Sequence, residues 1–356
     1  MGWLIGNDEY HDLWYASPMN HDLRNYVMQE AINDAELLIG FNLKFDLHWL
    51  RREGLEFSNK RVWDVQLAFF MLTAQKHPYP SLNFVSEYYG LGQKIDIIEQ
   101  EYWSKRIDTN LIPADILLNY QKQDVNLTYQ CYLVQVEEFK KNPKLYNLFQ
   151  LCCMDLLVLE EMEWNGLKLD KELCTKRTEE IKNKITELET KLTKWFPDVP
   201  INWNSGDHLS AILYGGSIKE TIKVPDGFYK TGAKAGQPKL KNQEKVHEFP
   251  GFFKPIEGSE YAKGGVWSTD ESILRSLRGN KAGMAIIENL LELSKVTKLL
   301  DYYEGWPNLS NEYDWEDGEI HGNLNQCVVA TGRLSSSKPN QQNVAGECQD
   351  IIITRY

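Results

Sequence analysis

The chain has 356 residues, 42% hydrophobic and 25% charged, the ordinary balance of a soluble globular protein with length for two or three domains. A net charge of −12 argues against a generic polyanion binder. Six cysteines without a C-x-x-C pair exclude a disulfide framework or a zinc pattern and fit a reducing compartment; the start lacks the pattern of a signal peptide, and no run of about 18 apolar residues is present to span a membrane, so the reading is cytoplasmic.

In chain order, Gly2 to Gly6 and His11 to Tyr15 read as two strands joined by the turn Asn7-Asp8-Glu9. Asn20 to Asn33 is predicted helical, Glu36 to Gly40 is a short apolar strand, and a helix from about Asn42 carries Leu43, Leu47 and Leu50 on one face. After the apolar run Val62 to Leu72 and a Pro-rich turn at His77–Pro80, Ser81 opens a helix and Pro113 to Phe139 forms a long one. This alternation suggests an α/β layer up to about residue 140. Beyond Pro143 two long helices, Leu145 to Trp164 and Asp170 to Phe196, are expected to pair as a coiled-coil-like arm; Asp170 is the N-cap of the second, and Ile181, Ile185, Leu188 and Leu192 are its buried stripe. Residues 215–265 are rich in Gly, Lys and Pro and read as an inserted loop or ribbon. Nine Lys against six Asp or Glu give this insert +3 and leave the remainder at −15. Ser268-Thr269-Asp270-Glu271 reads as a capping box, Gly283 to Tyr303 as a helix, and Glu319 to Val329 as a strand.

Three places carry chemistry. Asn42, Phe45 and Asp46 form N-x-x-F-D at a strand-to-helix turn, and Tyr120 and Asp124 share a helix face at i,i+4. Carboxylates on different elements can meet over a divalent metal while a phenol orients a water, the kit that two-metal phosphodiester hydrolysis needs. Asp64 is a further acid at the start of an apolar run; taken singly, an Asp at a helix N-terminus such as Asp46 is more often a plain cap, and Y-x-x-x-D is a weak pattern. Third, TGRLSSSKPNQQN at 331–343 follows a strand-like run, Asn325 to Ala330. Its Arg333, hydroxyls and amides suit hydrogen bonding to base edges and phosphates, and equally suit a polar surface loop. The high aromatic content, 12%, serves either a core or base stacking.

The segment 331–343 resembles the family A DNA polymerase signature TGRLSS-x-x-PN-x-QN. N-x-x-F-D and Y-x-x-x-D resemble motifs II and III of that family's proofreading exonuclease. WDVQLAFFML at 63–72, SLNFVSEYYGL at 81–91, DVNLTYQCYL at 124–133, EMEWNGLKLD at 161–170 and INWNSGDHLSAIL at 201–213 extend the resemblance. It implies a ribonuclease H-like α/β exonuclease domain at 1–140, a helical thumb at 141–310 with the basic insert 215–265, and the first palm strands at 311–356. It implies that Asp46 and Asp124 hold Mg2+ or Mn2+, that Tyr120 places the attacking water, and that Asn42 touches DNA. Arg333, Asn340, Gln342 and Asn343 would hold the minor groove of a primer–template, and the insert would touch duplex backbone or bind a processivity partner. The expected parent is a phage-like DNA polymerase with 3′→5′ proofreading, in the host cytoplasm if phage.

Two departures qualify this. No Asp-x-Glu precedes Asn42; Asp8-Glu9 has the wrong spacing, so the first exonuclease strand is expected to be missing. No polymerase carboxylate is recognisable after the 331–343 segment. The chain alone is therefore expected to be inactive, and the alternative is a non-catalytic DNA-binding subunit of a split polymerase, completed by a second chain with palm and fingers. A stand-alone exonuclease is disfavoured by the missing Asp-x-Glu.

Overall fold

The computed structural model describes residues 2–5, 9–12, 21–93, 97–228, 236–261, 264–316 and 318–354. Its elements begin with β1 (Gly2–Ile5), β2 (Glu9–Asp12), α1 (His21–Asp34), β3 (Leu37–Gly40), α2 (Leu43–Arg52), β4 (Arg61–Asp64), α3 (Val65–Leu72), α4 (Leu82–Tyr88), α5 (Ile97–Glu101), α6 (Ala114–Lys140) and α7 (Pro143–Asn165). They continue with β5 (Leu167–Leu169), α8 (Lys171–Thr193), α9 (Gly206–Tyr214), β6 (Gly216–Phe228), β7 (Pro238–Phe249), α10 (Glu271–Ser276), α11 (Lys281–Leu300) and α12 (Trp306–Glu312). The last are β8 (Glu319–Ile320), β9 (Asn323–Asn325), β10 (Ser335–Ser337) and β11 (Ile352–Ile353). Packing divides the chain into two compact units, residues 1–167 with 319–344, and residues 168–318 with 345–356.

In the first unit β3 and β4 run parallel, from Leu37 opposite Arg61 to Gly40 opposite Asp64. β1 and β2 are antiparallel; the expected Asn7-Asp8 turn and residues 13–15 lie outside the described residues. The apolar run at 62–72 becomes one strand and one helix, because Asp64 ends the strand by capping α3. α3 is buried on nearly every side, as expected where both faces of a helix are covered. The core gathers on Trp63, whose ring meets those of Tyr132, Phe139 and Phe149 edge-on. The Trp63 Nε1–H donates to Gln135 Oε1 at 3.0 Å, and Gln135 Nε2 donates to the Val65 carbonyl at 2.9 Å, so the buried amide is satisfied at both ends.

The two long helices after Pro143 do not share a unit. α7 buries Phe149, Cys153 and Leu156 in the core of the first unit, packing on α2, α3, α6 and β4. α8 packs on α11 in the second. The coiled-coil-like arm expected from their lengths is therefore not how either helix buries its apolar stripe. α7 ends at Gly166, whose φ is +60°; a Cβ there would stand 2.6 Å from the Ile320 carbonyl, so the close approach admits only glycine.

In the second unit, α8 buries Ile181, Leu188 and Leu192, with Ile185 half-buried, against α11 residues such as Ile286, Leu290 and Leu293. Asp170 caps α8 as expected, its Oδ1 accepting from the Leu173 N–H at 2.9 Å. Asp170→Ala is expected to lower the stability of this unit by about 1 kcal/mol in denaturant melts. The insert is an antiparallel ribbon, β6 on β7, paired from Gly216–Phe249 to Pro225–Leu240 and again at Phe228–Pro238 beyond an irregularity. The capping box is not formed. Ser268 is held by its N–H to the Ser259 carbonyl and by the Tyr214 hydroxyl on its own carbonyl, so α10 starts two residues later with Asp270 as N-cap. The helix expected at Gly283–Tyr303 loosens into a π turn at Asp301–Gly305 before α12.

Candidate functional site

The parallel pair ends at Gly40 and Asp64, and both strands turn at once into helices. Asn42 makes the first turn in the left-handed region, φ 54° and ψ 49°, which asparagine tolerates better than most residues. Its side chain makes no capping bond and is exposed. Asp64 makes the second turn and ties the two together: Oδ1 accepts from Gln66 N–H at 2.8 Å and Leu67 N–H at 3.1 Å, and Oδ2 accepts from Leu43 N–H at 2.8 Å. Asp64 is thus a buried cap; burial pushes its carboxyl up while the backbone amides oppose the shift. The outer ends of parallel strands are where open α/β sheets bind ligands.

Asp46 lies one helical turn beyond Asn42 on the exposed face of α2, between exposed Phe45 and Trp49. Desolvation first, then the charges of Asp64 and Asp124, push its carboxyl up to about 7. Asp124, on α6, is thus one of the charges that act on Asp46. Tyr120 sits one turn before it with its ring edge-on to Trp103, centroids 6.1 Å apart. Among the described residues no group of three or more His, Cys, Asp or Glu is close enough to hold a metal ion.

Of the stretch expected to be a strand at Asn325–Ala330, Asn325 ends β9 and the rest is bent, its polar groups drawn to the first unit's core: the Cys327 carbonyl accepts from Tyr79 N–H at 2.9 Å, and Gln326 Nε2 donates to the Cys152 carbonyl at 3.0 Å. The 331–343 segment pairs as β10 with β9, Ser335 opposite Asn325 to Ser337 opposite Asn323. Ser336 is buried; its Oγ accepts from Gln341 N–H at 3.0 Å and donates to the Pro339 carbonyl at 3.3 Å. Asn340 Oδ1 accepts from Gln342 N–H at 3.1 Å. Ser336 and Gln341 shape the hairpin, while Arg333, Asn340, Gln342 and Asn343 are exposed. Asn325, Gln326 and Cys327 also line a small cavity of about 30 Å³ with Asn42, Lys44 and Asp64, room for about one water.

Sequence reasoning missed a buried ionic layer between α2 and α7. Lys44, His48 and Arg51 on α2 meet Glu160 and Glu163 on α7. The signal was present as cations at i, i+4 and i+7 facing acids at i and i+3, and it only has meaning once the two helices are known to pack. Glu160 is fully buried; desolvation acts to raise its carboxyl, but hydrogen bonds from His48 and Arg51 and the Arg51 charge win and hold it below the usual glutamate range. Its contribution to stability is present above the unfolded carboxyl pKa and is lost as pH falls through the lower folded value. The acid limb of the first unit's stability curve is expected to flatten in Glu160→Gln, read by melts from pH 6 down to pH 3; an unchanged limb counts against this assignment. The ribbon lysines are also paired: Lys219 with Glu244 at 3.3 Å, and Lys239 and Lys241 with Asp226 at 3.7 and 3.3 Å. All six cysteines are free.

The chain is thus an α/β unit with Asp64 at a strand end and Asp46 one turn beyond the neighbouring one, followed by a mainly helical unit with a long ribbon. Residues 5–135 match the 3′-5′ exonuclease family and residues 252–353 match DNA polymerase family A. The chain is 25% identical over 328 residues to DNA polymerase I of Borreliella burgdorferi, covering 90% of this chain and 30% of that protein. It is 31% identical over 322 residues to DNA polymerase I of Caldicellulosiruptor bescii, 89% and 30% respectively, and 23% identical over 340 residues to the DNA polymerase of Bacillus phage SP01, 89% and 35%. Its fold matches the POL domain of Pol1 from M. smegmatis, solved with DNA primer-template and dNTP, at a TM-score of 0.61 and 20% identity, over 94% of this chain and 47% of that one. Residues 252–353 are thus family A DNA polymerase sequence, and residues 5–135 a 3′-5′ exonuclease domain, in a chain similar to DNA polymerase I along most of its length. The chain spans about 30% of the length of the first curated relatives it matches. Domains of these families generally act with divalent metals, and among the described residues no helix is long and apolar enough to cross a membrane.

Proposed function

We propose that the chain is the proofreading and primer-gripping portion of a DNA polymerase that acts in DNA replication. The observation that carries this is the 331–343 segment, in which Ser336 is buried and bonded to Gln341 while Arg333, Asn340, Gln342 and Asn343 are exposed. A row of one guanidinium and three amides suits acceptors in the minor groove of a primer–template. The division follows the family: a ribonuclease H-like exonuclease domain at 1–140, a thumb at 141–310, and the start of a palm at 311–356. The ribbon is read as a contact to duplex backbone or to a processivity partner. A cytoplasmic setting, the host's if the gene is phage-borne, fits this role.

Asp46 and Asp124 fit a hard divalent cation, Mg2+ or Mn2+, since two carboxylates that repel one another are relieved by positive charge. A bound metal would supply a polarised water and charge neutralisation at phosphate. Tyr120, one turn from Asp124, would orient that water, and Asn42, free of capping duty, would contact the DNA strand. With Asp46 and Asp124 as the ligands, Mn2+ is expected to bind weakly and to broaden NMR signals of α2 and α6 first. Asp124→Asn should remove that broadening; broadening elsewhere, or unchanged in the variant, would count against these ligands.

The function is tested with a fluorescent primer–template duplex. Anisotropy should report binding that falls steeply with salt, while purified chain alone neither extends the primer nor trims single strands. No binding at low ionic strength by a folded sample would refute the reading. Extension that appears only with a second chain would favour the split-polymerase form.

A further inference from the structure

The β9–β10 hairpin has three residues per strand, and among the described residues each strand has only the other as its partner. Such a pair is not stable by itself. Its outer edge is Leu324, which is buried and directly opposite Ser336. A buried backbone N–H and C=O at a sheet edge need partners. Here they find side chains. The Leu324 N–H donates to Glu163 Oε1 and the Leu324 carbonyl accepts from Lys44 Nζ. Lys44 and Glu163 also pair with each other at 2.5 Å, and Glu163 Oε2 meets His48 Nε2 at 2.9 Å. The Lys44–Glu163 ion pair thus occupies the place of a neighbouring strand. Lys44 is two residues before Asp46 on α2, and Glu163 is on the last turn of α7.

We infer that Glu163 is a positioning residue: with Lys44 it fixes the β9–β10 hairpin, and so the orientation of Arg333, to the helix that bears Asp46. The inference rests on the DNA-gripping reading of the hairpin. The carboxylate touches no DNA. It acts by holding the one backbone edge that the hairpin cannot satisfy itself, and the same ion pair anchors the start of α2. The editing helix and the primer grip therefore share one anchor.

The test uses the full chain with Glu163→Gln, the paired Lys44→Met/Glu163→Met, and Lys44→Arg. The paired variant removes both charges together, so a folded protein is expected where a single truncation would strand a buried ion. In it the Leu324 amide should lose hydrogen-exchange protection together with Ser335–Ser337, while amides of α7 and α3 keep theirs. The Leu324 amide proton should move upfield once its charged acceptor is gone. Duplex affinity should fall roughly tenfold with the salt slope unchanged, because no phosphate contact is lost. Glu163→Gln should fall between this and the parent, and Lys44→Arg, which can still reach both partners, should retain parent behaviour. A folded paired variant with parent protection at Leu324 and parent affinity would overturn the inference. If Arg333→Ala also leaves affinity unchanged, it is the DNA-gripping reading that fails, and exchange at Leu324 and β10 still decides the positioning role.

Discussion

Glu160→Ala is expected to lower the stability of the first unit by about 3–5 kcal/mol. Glu160 has no exposed side-chain surface and receives Arg51 in a two-pronged bond, from Nε at 2.8 Å and Nη2 at 2.7 Å, with His48 Nδ1 at 3.3 Å. Removing the carboxylate leaves the half-buried Arg51 guanidinium beside the aromatic faces of Phe57 and Trp164 without its hydrogen-bonded counter-charge, with only the longer-range charges of Glu161 and Glu56. The loss is mainly the cost of that stranded cation rather than the worth of the pair. Replacing both partners with apolar side chains, Arg51→Met with Glu160→Leu, should therefore recover most of it. Urea melts followed by Trp63 fluorescence would measure both variants. A loss below 1 kcal/mol for the single variant would mean that water reaches Arg51.

Much of the fold was legible because local rules and burial agree. Leu43, Leu47 and Leu50 repeat at helical spacing and are buried; Ser81 and Asp170 cap the helices they precede. Asp46 and Asp124 stand out by pattern alone, and the charge of Asp124 adds to the upward shift of the Asp46 carboxyl. What failed was tertiary. Ser268 has the sequence of a cap, but its backbone is committed to Ser259 and Tyr214. Asn325–Ala330 has β-type alternation, yet Cys327 and Gln326 bond across to Tyr79 and Cys152. Two adjacent long helices look like a pair, but each stripe finds a different partner. The ionic layer could not be read at all, since Glu160 and Glu163 resemble surface acids until α2 is laid on α7.

Arg333→Ala is expected to weaken primer–template binding by about 1–3 kcal/mol, provided the guanidinium makes a two-pronged groove contact. Arg333 is exposed and makes no hydrogen bond or ion pair among the described residues, so its donors are free for a ligand. The ribbon lysines start from a different position. Lys239 and Lys241 share the Asp226 carboxylate, and Lys219 faces Glu244. Such exposed pairs are weak, so the lysines can still turn to phosphate, but each leaves an acid unpaired beside the DNA when it does. Sequence alone suggests that neutralising this cluster, Lys234 included, flattens the salt dependence; Lys234 lies outside the described residues. With the pairing known, Lys239→Ala/Lys241→Ala should reduce the slope of log K against log salt by no more than about one, short of the nearly two that two free phosphate contacts would give. The two variants separate groove from backbone: the arginine change lowers affinity at every salt concentration, and the lysine changes act through the slope. A folded Arg333→Ala protein that binds like the parent across that range would remove Arg333 from the interface and leave the ribbon as the chain's nucleic-acid contact.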